Sequence, residues 1–420
     1  MHFNEQKHVN RDKSSCIHSC SLGWFDPSAT CVGVVRTHFS ATHQQGATCI
    51  LHMPIFKPDE LERLAIQVFE AASVPSGEAK IVARHLVDAN LGGHDSHGIM
   101  RVSQYVQAIN KGNVKPGAKA LTLKESPCTA LLDGQNGFGQ VVASNAVNIA
   151  IEKARNHGVA AVSFCNAYHT GRIATYTLMA ANAGFAAMAM VNAGGGGQSV
   201  APFGGLARRL ATNPFSIATP SGNSHPLVLD IATSVAPEGK VRDYKLKKKT
   251  LPDGWIIDSK GKPSNDPNDF YNEPGGALLP FGGLAGYKGF GLGFMVDVLA
   301  GALSGAGCCR AGVTDPKDGL FLIVIDVEKF CAREEFYAHV QGLMEHVHSC
   351  PVAPGHKRVY IPGEIEHLAE LNRHEEGIFI DDSTWGEICN TMTGLGLDSS
   401  GNSLFDAPPQ RRFSAVAFIN

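Results

Sequence analysis

At 420 residues with 44% hydrophobic side chains, the chain is long enough for two domains, or one large domain with insertions, and can bury a real core. Its formal net charge of −3 leaves no global basic field to gather nucleic acid or an anionic membrane, so a small-molecule partner is expected. Eleven cysteines, odd in number and without a CxxC pair, read as reduced thiols of a cytoplasmic protein rather than as a disulfide framework.

Residues 1–52 are polar and show no sustained period. They lack both the Arg-rich, acid-poor bias of a transit peptide and the continuous apolar run of a signal peptide, so a disordered extension is expected there. Cys16, His18 and Cys20 could begin a metal site, but no second Cys or His pair at zinc-finger spacing completes it. Folded sequence starts near Met53. Lys57-Pro58-Asp59-Glu60 opens a helix with Leu61, Leu64, Ala65 and Val68 on one face, and Ser76-Gly77-Glu78 opens another with Ile81, Val82, His85, Leu86 and Ala89.

The second helix runs into Gly93-His94-Asp95-Ser96-His97-Gly98, and residues 99–111 continue at helical spacing. Ile99, Val102, Val106 and Ile109 form the expected core-facing stripe. His97, Arg101 and Tyr105 are read as a row on the other side, each one turn, about 5.4 Å, from the next. Arg grips a carboxylate with two parallel hydrogen bonds, and His, which titrates near neutrality, moves a proton on the neighbouring carbon's oxygen. The same three side chains equally suit a plain solvated face. Asp95 and Ser96 are placed to cap the helix, and Gly92, Gly93 and Gly98 make its entry tight. His94 and His97 could share a metal, yet no third ligand is evident, so no metal site is expected.

From Cys128 short apolar runs alternate with Ala-rich helical segments, as in a sheet with covering helices. Strands are expected at 130–132, 160–164, 186–191, 215–218 and 227–231, and helices at 141–157 and 173–183. Gly194-Gly195-Gly196-Gly197 makes a loop without side chains to stop a ligand approaching the backbone. No GxGxxG fits the dinucleotide fingerprint and no GxxxxGK[ST] occurs. Lys245, Lys247, Lys248 and Lys249 suit a solvated loop, and the turn-rich 252–266 is expected to be exposed. Tyr287-Lys288-Gly289-Phe290-Gly291 puts a Lys at a helix entrance, where an anion would be welcome. The apolar run 290–309 contains Asp297 and several glycines and reads as a buried helix with a loop, not a membrane span. A strand at 320–326, a helix at 334–346, Val359-Tyr360-Ile361-Pro362-Gly363-Glu364 and a polar, frayed end complete the chain.

With these residues laid out, the chain resembles the type-2 malate/L-lactate dehydrogenase family, from about Met53 to Trp385. The likeness rests on ordered motifs: Ala89 to Gly98, Tyr168-His169-Thr170-Gly171, Val200-Ala201-Pro202-Phe203-Gly204-Gly205, Ala211-Thr212-Asn213-Pro214, Leu229-Asp230-Ile231-Ala232-Thr233-Ser234, Glu238-Gly239-Lys240, Lys288-Gly289-Phe290-Gly291 and Ile361-Pro362-Gly363-Glu364. It implies an α/β fold whose mixed-sheet, non-Rossmann domain binds NAD or NADP, with a helical domain built from the N- and C-terminal parts. The corresponding expectation is a helical, substrate and dimerisation domain at 53–127 and 300–420, and an NAD(P)-binding domain at 128–299.

The resemblance further implies a catalytic set of His97, His169 and Ser96, with Arg101 and Tyr105 orienting the acid. It implies cofactor contacts at His169, Ala193, Asp230, Ile231, Ala232, Lys288, Gly363, Glu364 and Ile365. Lys240 stands where imino-acid reductases of the family carry Asp, which points to a hydroxy acid. The expected activity is hydride transfer between NAD(P) and a malate- or lactate-like 2-hydroxy acid by a homodimer without nucleic-acid or membrane partners. The rivals are a catalytically degenerate binding protein and a metal-dependent hydrolase using His94, Asp95 and His97.

Overall fold

The computed structural model describes residues 55–223, 225–313 and 317–397. The extension expected at 1–52, with Cys16, His18 and Cys20, lies outside the described residues. The described chain enters through β1 (Ile55–Phe56), α1 (Pro58–Ala71) and α2 (Ser76–Leu91), then makes a 3-10 turn at Asp95–His97 and continues as α3 (Arg101–Asn110). Next come the hairpin β2 (Leu121–Glu125) and β3 (Thr129–Asp133), then α4 (Gly139–His157), β4 (Val159–Ala167), α5 (Ala174–Asn182), β5 (Phe185–Asn192), β6 (Phe215–Thr219), β7 (Leu227–Ile231) and α6 (Glu238–Leu246). A small excursion follows: β8 (Ile256–Ile257), β9 (Pro263–Ser264), α7 (Pro267–Tyr271) and β10 (Ala277–Leu278). The described part closes with α8 (Tyr287–Asp297), β11 (Asp318–Asp326), α9 (Arg333–His348), α10 (Glu364–Glu376), β12 (Ile378–Phe379) and α11 (Asp382–Gly394).

Seven strands form one sheet in the order β2-β3-β4-β11-β5-β6-β7. The β3–β4 pair is parallel, joined by the crossover helix α4, and every other neighbour is antiparallel. This is the mixed α/β architecture expected, not a parallel doubly wound sheet. β11 lies at the centre, with Leu322 opposite Val162 on β4 and Ala189 on β5. Leu320, Leu322 and Val324 alternate into the core beneath Ala146 and Ala150 of α4 and Tyr176 and Ala180 of α5. The small residues on these helices let them approach the sheet closely. A separate core joins α1, α2 and α3 to Ile378, Ile380, Ile388 and Met392, so the helical layer draws on both ends of the chain.

Four expectations are corrected. The sheet takes its central strand, β11, from beyond residue 299, because an apolar run reveals that a strand is buried but not beside which neighbours. The run 290–309 forms α8 and a π turn at Val298–Ala302, yet Phe294, Met295 and Leu303 are at least half exposed. A helix apolar all round has no polar face to turn outward. The turn-rich 252–266 contains the buried β8 strand. The stretch after Glu364 forms two helices. α10 buries no side chain completely, which is why it shows no apolar stripe. α11 starts on Asp381, whose Oδ1 accepts from the Thr384 N–H at 3.0 Å.

Candidate active site

The last turn of α2 carries Asn90, a buried residue that organises the turn after it. Its Oδ1 accepts from the Ile99 N–H at 2.7 Å and its Nδ2 donates to Asp95 Oδ1 at 2.6 Å. A Cβ on Gly98 would fall 2.2 Å from Asn90 Oδ1, so only glycine fits there. From α10, Arg373 donates Nη1 to Asp95 Oδ1 at 2.6 Å and Nη2 to Oδ2 at 3.0 Å. The turn carrying His97 is thus fixed by its own helix and by a helix nearly three hundred residues on. Asp95 and Ser96 were expected to cap α3 and do not. Asp95 serves Arg373 and Asn90, and Ser96 Oγ lies 2.9 Å from His97 Nδ1.

His97 sits in the 3-10 turn, before α3 begins at Arg101. Its ring stacks on His169 at 5.7 Å and 21°. Burial lowers the His97 pKa to about 3, aided by the positive charge of Arg101 and by His94 and Arg172, so the ring is neutral at pH 7. Arg101 donates Nε to the Ser96 carbonyl at 2.7 Å and Nη1 to Gln104 Oε1 at 2.5 Å, which holds the guanidinium beside the His97 turn. Tyr105 departs from the expected row. It is fully buried between Phe69, Phe138 and Tyr168. Its hydroxyl accepts from Gln140 Nε2 at 2.8 Å and lies 2.8 Å from His169 Nδ1. With Gln140 supplying a proton to the phenol oxygen, the phenol proton points to His169 Nδ1, which leaves the His169 Nε2 as N–H.

The loop bearing His169 is pinned on both sides. Asp318 Oδ2, at the start of β11, accepts from the Thr170 N–H at 2.8 Å and the Thr170 hydroxyl at 2.9 Å. Burial raises the Asp318 carboxyl to about 6. On the other side the Arg172 N–H donates to His85 Nε2 at 2.9 Å. Gly171 has φ +76° and a Cβ there would lie 2.2 Å from that nitrogen. Burial also carries His169 well below the usual imidazole range, with His97 and Arg101 adding to the shift.

A second cluster adjoins this one. Arg172 Nε lies 3.8 Å from Asp230 Oδ2, and Asp230 accepts from the Ala174 N–H at the start of α5 at 3.2 Å. Gly363 has φ +87° and packs so tightly on Val228 of β7 that a Cβ would sit 2.7 Å from its Cγ1. Beside it, Glu366 Oε1 lies 3.8 Å from His94 Nε2. Glu364 is held by His348, Arg358 and the Ile361 N–H. Arg172 Nε, His94 Nε2 and Thr175 Oγ1 are shielded from solvent without a hydrogen-bond partner among the described residues. These donors, with the Asp230 carboxylate, fit a ligand rich in hydroxyl and phosphate oxygens.

Of the sequence-derived cofactor positions, Asp230, Ile231 and Ala232 leave β7 beside this cluster, and Gly363, Glu364 and the exposed Ile365 open α10. Ala193 follows β5, and Lys288 is exposed in the first turn of α8, on elements outside the cluster. The tetraglycine has a different cause from the one expected. A Cβ on Gly194 would lie 2.0 Å from the Lys317 carbonyl oxygen, and one on Gly195 would lie 2.5 Å from that of Cys308, so the glycines admit neighbouring backbone. Sequence reasoning missed Asn90, Gln140, Arg172, Asp318 and Arg373. Only Asn90 carried a signal, its place inside the Ala89 to Gly98 motif.

Residues 56–389 match the family described as malate/L-lactate dehydrogenase. A malate dehydrogenase of Pyrococcus abyssi is 38% identical over 347 residues, covering 81% of this chain and 94% of that protein. An L-sulfolactate dehydrogenase of Methanocaldococcus jannaschii is 37% identical, covering 82% and 98%. Among solved structures, a malate dehydrogenase from Entamoeba histolytica superposes with TM-score 0.78 at 30% identity, covering 83% of this chain and 99% of that one.

Proposed function

The chain belongs to the malate/L-lactate dehydrogenase family, and from that premise we propose that it moves a hydride between NAD or NADP and a small 2-hydroxy acid or its 2-oxo partner. The observation that carries this reading is the neutral His97 ring, stacked on His169 and flanked by a fixed Arg101. When bound, the nicotinamide supplies or takes up the hydride. The chain's own residues do the rest. Arg101 receives the substrate carboxylate with the guanidinium N–H groups that Ser96 and Gln104 do not take. His97 accepts the C2 hydroxyl proton during oxidation and releases it to solvent, and in reduction it gives a proton to the C2 oxygen. An arriving carboxylate offsets the positive charge that adds to burial in holding His97 neutral, raising its proton affinity as substrate binds. Ser96 orients His97 through Nδ1. Tyr105, instead of touching the acid, acts through His169, leaving the His169 Nε2–H as a fixed donor.

Asp230 to Ala232, Gly363 to Ile365 and Arg172 are proposed to hold the nucleotide, with Ala193 and Lys288 at its margins. In this reading the sheet carries the cofactor and the two-ended helical layer carries the acid. Both oxygens of Asp95 are engaged by Arg373 and Asn90, so nothing favours the hydrolase, and the intact pair of histidines gives no support to a degenerate binder. A homodimer is supported by the exposed apolar side chains of Leu284, just before α8, and of Tyr287, Phe294 and Met295 on it. The free thiols suit a reducing compartment such as cytoplasm, and no described helix is long and apolar enough to cross a membrane. The test is a panel of 2-hydroxy and 2-oxo acids with each nicotinamide, followed by NAD(P)H absorbance. Turnover of at least one carboxylate pair is expected, and silence across the panel with both cofactors would overturn the reading.

A further inference from the structure

Beyond the hydride site, a cluster joins the loop before β7 to α10. His225, His367 and Glu370 are half-buried, and each brings one ligand atom within 4.8 Å of the other two. The imidazoles of His225 and His367 stack at 4.1 Å and 22°. Glu370 Oε2 lies 3.8 Å from His367 Nδ1, too far for a hydrogen bond, and Oε1 lies 4.0 Å from His374 Nε2. Two nitrogens, His225 Nε2 and His367 Nδ1, are closed off from solvent with no hydrogen-bond partner among the described residues. Buried polar atoms are normally satisfied, so a pair left open beside a carboxylate calls for an occupant.

We propose that His225, His367 and Glu370 form a binding site for a divalent transition metal, zinc or a similar imidazole-preferring ion. Two nitrogens and one carboxylate oxygen suit zinc, cobalt or nickel better than magnesium or calcium, which prefer oxygen throughout. A fourth position is left to water. An imidazole lone pair lies in the ring plane, so the rings turn out of their stack as the ion enters. The ligand atoms then draw toward the spacing of roughly 3.3 Å that tetrahedral zinc imposes.

The location gives the site a structural consequence. The loop carrying His225 runs into β7, which carries Asp230, and His367 lies one turn past Gly363 and Glu364. An ion here would staple together the two elements that frame the Asp230 cluster, without touching His97 or His169. The site stands independently of the hydroxy-acid reading.

The test uses the full chain, stripped with chelator, dialysed and titrated with Co²⁺ while its visible d–d absorption is followed. Other His and Cys residues can also take cobalt, so the comparison is between wild type and the variants His225→Gln, His367→Gln and Glu370→Gln. Wild type is expected to bind one more equivalent than either histidine variant, and Glu370→Gln to bind that equivalent about tenfold or more weakly. Zn²⁺ should raise the Tm of wild type and leave that of the histidine variants where it was. Circular dichroism of the metal-free proteins verifies that the variants fold. Equal stoichiometry and spectra in wild type and the folded histidine variants would overturn the site. Because the readout is metal binding, failure here leaves the acid panel untouched, and a silent panel leaves this site standing.

Discussion

The two histidines of the site are held in opposite ways. His97 sits on a short turn clamped by charge, with Asp95 about half exposed and gripped by Arg373. His169 sits on a loop held by neutral bonds through the buried Tyr105 and Gln140, and by Thr170 on a half-buried Asp318. A charged clamp near water is weakened by salt and contributes little stability, whereas a buried polar network is costly to leave half satisfied. The lesson is that the histidine proposed to move the proton owes part of its attachment to an adjustable, charged clamp, whereas its stacked neighbour is held through buried polar bonds.

The strongest way to break the comparison is at His97 itself. His97→Ala is expected to lower kcat by about 10²- to 10⁴-fold in steady-state assays with little change in KM. Near-wild-type turnover would transfer the proton role elsewhere. Tyr105→Phe comes next. It leaves Gln140 Nε2 and His169 Nδ1 buried without their partner, so a stability loss of about 1–3 kcal/mol by denaturant unfolding is expected, together with a lower kcat. Arg101→Lys removes the planar fork but keeps the charge, and should raise KM by about tenfold while sparing kcat. The smallest effect is expected from Asp95→Asn: under about 1 kcal/mol in stability, shrinking further in high salt, with a kcat loss below that of Tyr105→Phe. A Tyr105→Phe effect smaller than that of Asp95→Asn would reverse the contrast.

Acid sharpens the same comparison. His85 and His97 are both held at about 3, against an ordinary value of 6.5 for imidazole. A folded pKa below the unfolded one means that the unfolded chain takes up protons first. The stability these neutral rings contribute is therefore complete above about pH 6.5 and is lost as pH falls from there toward 3. Tm measured across that window should decline, and His85→Gln, which removes one such ring outside the His97–His169 stack, should make the decline shallower.

Much of this was legible from the residues. Short apolar runs placed β3 to β7 and β11, and helical patterns the helices α1 to α5, within a few residues, because burial concentrates apolar side chains in a strand and spaces them along a helix. Tyr105 shows where the reading bent. Val102, Tyr105, Val106 and Ile109 are spaced i, i+3, i+4, i+7, so the phenol lies inside the apolar stripe, and reading it in a row with His97 and Arg101 put it on the wrong side. A buried Tyr needs only one partner for its tip, and Gln140 and His169 provide two. Arg373 was invisible for another reason. Its helix buries no side chain completely, and a contact across 278 positions leaves no local trace.

The central position of β11 bears on how the molecule comes into being. A ribosome that has released only the first three hundred residues has supplied the strands of two half-sheets, β2-β3-β4 and β5-β6-β7, but not the strand that pairs with the inner edges of β4 and β5. They are joined only when residues 318–326 emerge and slide between them as the keystone. Until then the nascent chain carries sticky, unfinished borders, and a chaperone that shelters such borders would have most to do in that interval.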